Sequence, residues 1–351
     1  MAHFRFNKVA HLYIDIYIYH KSVQMYLEET GESYIILNPL EAAKIRKSQL
    51  RATKNDKKDC KNIASAYFLR DFKLHNKQDV IYEELQQMNR FYGFMVQQNR
   101  MIKVQFRNML DVVYPNFDKL YSDIYSNIPI TLLKLYSHPN KVNRVRLDTL
   151  AKNLEKNSSH KLQYCIYEAE KIKKHVSDIQ SGVDENSVEI ETLASIINEL
   201  IYKETQINDY LNEMKLLAQQ LPLYHQLQTI PGIAENIAVR LVSELGDLSR
   251  FDNKRQLVAY AGIDPRVYQS GQMTGDHLNI TKKGNKHLRT LLYLAVSGNI
   301  RSTKDNSISE FYYKKRQQTN PLSHKAALIA CANKLLRIIF SMNLNGSNFL
   351  I

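Results

Sequence analysis

Tryptophan is absent from the 351 residues, and cysteine occurs only at Cys60, Cys165 and Cys331. An odd number of scattered cysteines without CxxC spacing excludes a disulfide framework and a zinc site, so reduced thiols are expected. Glycine (11) and proline (8) are too few for a collagenous or low-complexity chain. No run of about 18 uncharged apolar residues is present, and the first residues lack the basic flank and apolar stretch of a signal peptide. No membrane partner is therefore expected, and the chain is placed in the cytoplasm. Acidic residues are also in deficit, 35 against 48 Lys and Arg, for a formal charge of +13. The excess is uneven: 17 basic against 8 acidic residues over 231–351, 13 against 8 over 1–75, and 18 against 19 over 76–230. Both ends are thus suited to a polyanion and the middle is not. Charge alone also fits a ribosome-associated or membrane-surface protein.

What is abundant is helix-period apolar sequence. The 44% hydrophobic fraction is ample for real cores, and the length allows two or three domains. Ile81, Leu85, Met88 and Phe91 recur at helical intervals within 77–113, after which Pro115, Pro129 and Pro139 punctuate shorter elements. Leu150, Leu154, Leu162, Ile166, Ala169, Ile172, Val176 and Ile179 form one run. After the polar segment Ser181 to Ser187, Ile190, Leu193, Ile197, Leu200, Ile207, Leu211, Met214 and Ala218 form a second, interrupted at Glu204. The steps of three and four predict a coiled-coil seam, with the two runs folded back on each other as an antiparallel hairpin over 150–222. A plain bundle core is the alternative reading.

The most specific stretch begins at Ile230. Pro231 and Gly232 form a tight turn, and Ile233, Ile237 and Leu241 then recur at helical spacing, as in half of a helix-hairpin-helix unit. Unpaired N–H groups at such a helix start can receive a nucleic-acid phosphate. An ordinary turn between core helices is equally compatible, and Ala234 stands where a second glycine is usual. Tyr268-Gln269-Ser270-Gly271 follows, ahead of Lys282, Lys283, Lys286, His287 and Arg289. A serine hydroxyl attacks phosphorus only when its proton is removed and the phosphoryl charge is neutralised, so cationic neighbours matter. A serine before glycine is otherwise an ordinary turn residue.

Taken in order, IPGI, ELGDLSRF, QLVAYAGIDP, the YQSG serine, ITKKGN and LRTLLY resemble, from about 227 to 339, the C-terminal domain of the IS-one-ten family of insertion-sequence transposases. The resemblance implies that Ser270 is the nucleophile and forms a covalent phosphoserine link to DNA. Thr281 departs from the family's serine but keeps the hydroxyl. Upstream, ILNPLEAAKIRKSQLRATKNDKKDC (36–60) resembles the family's INP and TKTDxxDA phrases. Asp56 and Asp59, three residues apart at a helix start, can present two oxygens to one Mg²⁺, with Lys47, Arg51, Lys54, Lys57 and Lys58 to hold a strand against it. An isolated DxxD is ordinarily a solvated mixed-charge face.

The family fold is RNase H-like, with four metal-binding carboxylates in the order Asp, Glu, Asp, Asp. Counting back from Asn38-Pro39 places the family's tyrosine at Tyr19 and its glutamate at Ile14, with Asp15 the nearest carboxylate, one residue off along a strand. A competing alignment puts Leu12 to Asp15 on the opening strand. That alignment makes Asp15 the first aspartate but deletes the segment between the strand and the YHKSV helix. In the first alignment the opening strands have no counterpart, so an N-terminally truncated or frameshifted copy is expected, without strand exchange unless Asp15 and a partner subunit rebuild the site. The expected architecture is mainly α with a partial α/β part: an incomplete RNase H-like domain (1–149), an antiparallel coiled-coil arm (150–222) and a helical serine domain with a helix-hairpin-helix-like unit (223–351). The expected function is DNA transposition by Ser270 with Mg²⁺ at Asp56 and Asp59. Phosphates would be held by Gly232, Lys282, Lys283, Lys286, Arg289, Arg51 and Lys54. The resemblance implies a structured guide RNA and a homodimer or larger assembly formed through the arm, at the nucleoid. A non-catalytic binding remnant and a helix-hairpin-helix nuclease remain as alternatives.

Overall fold

A computed structural model describes residues 12–15, 20–32, 34–37, 79–265, 269–270, 273–274, 280–304 and 306–349. It divides into two units, 1–78 and 79–351. In the first, β1 (Leu12–Asp15) is followed by α1 (His20–Glu29) and β2 (Tyr34–Leu37). The strands are parallel neighbours, with Leu12 opposite Tyr34 and Asp15 opposite Leu37. A parallel pair cannot be joined by a tight turn, and α1 supplies the crossover. Asp15 therefore ends β1 level with the residue before Asn38. Asp56, Asp59, Arg51, Lys54 and Cys60 lie outside the described residues.

The second unit is helical. Long helix α2 (Val80–Val113) is capped by Asp79, whose side chain accepts from Ile81 N. Short helices α3 (Phe117–Leu120), α4 (Asn127–Leu135) and α5 (Pro139–Arg144) follow, then α6 (Leu147–Asn157), α7 (Leu162–Ser177) and α8 (Val188–Ala218). Pro139 sits in the first turn of α5, where a missing N–H costs nothing.

Every predicted seam position of α8, from Ile190 to Ala218, is buried. Its partner differs from the expected one. α8 packs along α2, while α6 and α7 pack on each other. Length supplies the reason: α8 has 31 residues and α2 has 34, about 46 and 51 Å of rise, whereas α7 has 16, about 24 Å. Phe91 meets Tyr210 with ring centroids 5.4 Å apart, Lys103 pairs with Glu204 at 2.7 Å, and Gly182 N donates to Val112 O at 3.0 Å. Advancing along α2 thus means retreating along the partner chain, so the pair is antiparallel. Glu204, which interrupts the seam, is the residue that Lys103 neutralises. The expected continuous helix over 150–179 is instead two, broken at Ser158 to Lys161, where Ser158 Oγ accepts from His160 N at 3.4 Å.

Two apolar cores share the long pair. One gathers Phe106, Tyr114, Phe117, Leu133, Leu154, Ile172 and Leu193 from the middle of the chain. The other contains Leu85 and Met214 from the far ends of α2 and α8, together with the C-terminal helices. These are α9 (Pro222–Gln228), α10 (Glu235–Leu245), α11 (Lys254–Ala261), α12 (Lys286–Arg301), α13 (Ser307–Gln317) and α14 (His324–Asn345), with β3 (Gln269–Ser270) and β4 (Met273–Thr274) between α11 and α12. α14 is long and apolar enough by composition to cross a membrane. It includes Lys334 and Arg337, and its apolar residues Leu328, Cys331, Leu335, Ile339 and Phe340 are buried in this second core. Cys165 and Cys331 are buried free thiols, and burial pushes Cys331 up to about 11.

Candidate nucleic-acid interface

The polar centre of the C-terminal part is Glu244 on α10, fully buried on a helix whose other buried residues are apolar apart from Ser243. An ionised carboxylate survives burial only when both oxygens are satisfied. Asn89 Nδ2, from α2, donates to its Oε1 at 2.8 Å, and Asn285 Nδ2 donates to its Oε2 at 2.7 Å. Both amides are committed elsewhere as well. Asn89 Oδ1 accepts from Arg240 Nε at 3.2 Å, and Asn285 Oδ1 accepts from His287 N and Leu288 N, capping α12. Their orientation follows from this network. Arg240 lies over the Tyr92 ring at 5.0 Å, and burial lowers its pKa against the opposing pull of Tyr92 and Glu244. Arg90 Nε stands 3.9 Å from Glu244 Oε1, with its side chain about half exposed.

Asn285 also roots the segment that carries Ser270. Its N–H donates to Tyr260 O at 2.7 Å, Lys282 N donates to Gly262 O at 3.1 Å, and Thr281 donates through N to Asp264 O and through Oγ1 to Asp264 Oδ1. Pro265 and Ile280 then form an antiparallel bridge, and beyond it Ser270 of β3 lies opposite Met273 of β4. Residues 260–265 and 280–285 thus form a stem. Gly262 and Gly284 cross in it so closely that a Cβ on either would overlap the backbone of the facing strand. Tyr260, at the stem's foot, stacks on Arg250 at 4.6 Å and reaches Glu244 O. Thr281 keeps the hydroxyl noted in the sequence, and here it tightens the stem.

Lys282, Lys283 and Lys286 are exposed around the stem's foot. Lys282 adopts φ 55°, a conformation unusual outside glycine. Arg289 is half-buried, and its Nη1 donates to Ala261 O at 2.9 Å, which ties it to the stem. Gly232 joins α9 to α10 with φ 79°. A Cβ there would overlap the backbone of Gly298 and Asn299, and Asn299 Nδ2 donates to Pro231 O at 2.8 Å. The glycine is therefore required by contact with α12. The next helix start, Ala234 to Asn236, is exposed and has no side-chain cap. Glu244, Asn89, Arg90 and Arg240 were not singled out in the sequence, although Glu244 lies within ELGDLSRF. Among the described residues no group of three or more His, Cys, Asp or Glu side chains could hold a metal.

The exposed lysines at the foot of the stem give this part a surface suited to a nucleic-acid phosphate. Comparison with known proteins agrees. Residues 224–313 match the family described as Transposase IS116/IS110/IS902, and 15–115 match the DEDD transposase model of the IS110 type. Segments of the chain thus match both domain models of this transposase type. The transposase for insertion sequence element IS1111A of Coxiella burnetii is 31% identical over 150 residues, 43% of this chain and 41% of the relative. The transposase for IS1328 of Yersinia enterocolitica is 30% identical over 146 residues, 41% and 42% of the two chains. The pilin gene-inverting protein of Moraxella bovis is 31% identical over 116 residues, 33% and 35%. The matches thus span well under half of these relatives.

Proposed function

We propose that the chain is a DNA transposase or recombinase of an insertion sequence, with Ser270 as nucleophile. The observation that carries this reading is the joint presence of the two transposase segments with Ser270 on β3, beyond a stem whose foot carries the exposed Lys282, Lys283 and Lys286. Ser270 Oγ forms a bond to phosphorus, a bridging P–O bond breaks, and the leaving oxygen ends as a hydroxyl once a proton reaches it. The covalent phosphoserine conserves the bond energy for rejoining, so no oxidant or nucleotide is needed. Asp56 and Asp59 are the residues to hold Mg²⁺, with Asp15, the first residue of the matched segment, as a third carboxylate. When bound there, the cation would supply charge neutralisation at the phosphate. The parallel β1-α1-β2 unit, with Asp15 at a strand's carboxyl end, supports an RNase H-like reading of this part. α9, the Pro231-Gly232 turn and α10 support the helix-hairpin-helix reading.

A structured guide RNA would carry target choice, and Arg51 and Lys54 would hold a strand near the carboxylates. The α2–α8 pair, with exposed Phe94, Met101 and Val104 on α2, supports self-association through a helical arm. Action on the nucleoid in the cytoplasm follows. The test is incubation with Mg²⁺ and DNA followed by denaturing electrophoresis. A covalent adduct lost in Ser270→Ala supports the transposase, cleavage without adduct a nuclease, and inert binding a non-catalytic remnant.

A further inference from the structure

Around Glu244 the structure gathers more positive charge than one carboxylate needs. Both of its oxygens are taken by the Asn89 and Asn285 amides, and Arg90 lies beyond hydrogen-bond distance. Arg90 is on α2, Arg240 on α10, and Lys286 and His287 open α12. Three elements distant in sequence thus converge on one place. His287 feels all of them: burial lowers its pKa, Glu244 opposes this, and Arg90, Lys286 and Arg240 lower it further. Among the described residues, neither Lys286 nor His287 makes a side-chain hydrogen bond or ion pair. Arg240 is committed to Asn89 and Tyr92, which leaves Arg90, Lys286 and His287 as donors open to solvent.

We propose that Arg90, Lys286 and His287 form a phosphate-binding patch for a DNA duplex, extending the interface from the serine stem onto helix α2. This rests on the transposase reading above, because it is the relatives' action on DNA elements that selects DNA among polyanions. The patch is complementary to a polyphosphate in charge, with like charges held close by the protein and relieved by an incoming anion. Lys282 and Lys283 lie on the same stem foot, so a strand crossing the patch continues toward Ser270. His287 makes the contact proton-linked. In the free protein its neighbours oppose protonation; a bound phosphate favours the imidazolium. Affinity therefore rises as pH falls through the window between the lowered free value and the raised bound value.

The experiment measures duplex binding by the full chain by fluorescence anisotropy, over a salt series at pH 8 and pH 5.5. Wild type, Arg90→Gln, Lys286→Gln and His287→Gln are compared, with Arg107→Gln as control. Arg107 is an exposed arginine of the same helix paired with Asp118 at 3.0 Å. Arg90→Gln and Lys286→Gln are each expected to reduce the slope of log K against log salt by about 0.9, and Arg107→Gln to leave it unchanged. His287→Gln is expected to remove an affinity gain at low pH of about tenfold per unit of pKa change on binding. Thermal melts of each variant identify any that fail to fold, and the two slope variants on separate helices check each other. A steep wild-type slope unaltered in folded Arg90→Gln and Lys286→Gln overturns the patch and leaves the transposase reading standing. Wild-type binding without salt dependence overturns both. The same series is run on an RNA duplex of the same sequence, and slope reductions seen there but not on the DNA duplex overturn the assignment to DNA.

Discussion

Replacing Glu244 with Gln changes one oxygen to an amide and leaves the shape of the side chain intact, so the consequence can be worked out from hydrogen bonds alone. Whichever way the new carboxamide turns, its NH₂ meets an amide donor, Asn89 Nδ2 or Asn285 Nδ2. Neither asparagine can flip to accommodate it. A flipped Asn89 presents its NH₂ to Arg240 Nε, and a flipped Asn285 gives up the cap on His287 N and Leu288 N, which is worth about 1 kcal/mol. One hydrogen bond to a charged group is lost in either case, about 1.5–3 kcal/mol with its donor left buried. The melting temperature is therefore expected to fall by roughly 3–12 °C at about 2–4 °C per kcal/mol. Asn285→Asp on its own sets two carboxylates against each other and is also destabilising. Combined with Glu244→Gln it restores the bond, since the carboxamide introduced on α10 can donate to the carboxylate introduced at the start of α12, and aspartate still caps that helix. Thermal denaturation of wild type, both single variants and the double variant reads the whole cycle. A Glu244→Gln protein that melts with wild type, or a double variant no more stable than the sum of its parts, refutes the account of this network.

Gly232→Ala is expected to destabilise by about 2 kcal/mol or more, from the positive φ and the overlap with Gly298 and Asn299, read by urea denaturation. Gly93→Ala, in the middle of α2 with open space at its Cβ, should instead be neutral or stabilising. His175 is held below its usual pKa by burial, with Pro115 O and Asp178 pulling the other way. Its contribution to stability is fully present above the unfolded value near about 6.5 and is lost as pH falls toward the lowered folded value. Melting temperatures from pH 8 to 5 should fall on the acid side, and more shallowly in His175→Leu.

How much could be read beforehand varied by element, for physical reasons. The apolar face of α8 was legible because a 3.6-residue period records which side is buried. The same period does not say against what, and the true partner α2 was separated from it by some 75 residues and several short helices. The break before α7 was hidden because Leu154 and Leu162 stay in phase across it, and Ser158 and Ser159 are weak punctuation. The stem around Ser270 was half legible: Asp264-Pro265 and the later glycines marked a loop, but the crossing of Gly262 with Gly284 requires two chain segments at once. Glu244 stands in the ELGDLSRF motif with no role legible from sequence, since its partner Asn89 is 155 residues away. A charged residue among Ala238, Val239, Leu241, Val242 and Leu245 was the one available signal. Asp56 and Asp59 remain positions argued from sequence.

The most direct test of the central claim is identification of the covalent adduct itself. The chain is incubated with Mg²⁺ and element-end DNA, the products are digested with nuclease and protease, and the residue carrying the nucleotide phosphate is located by mass spectrometry. The account predicts a phosphoserine at Ser270 that disappears in Ser270→Ala and is strongly reduced in Asp56→Asn and Asp59→Asn. An adduct that maps to another residue, or that persists unchanged in Ser270→Ala, contradicts it.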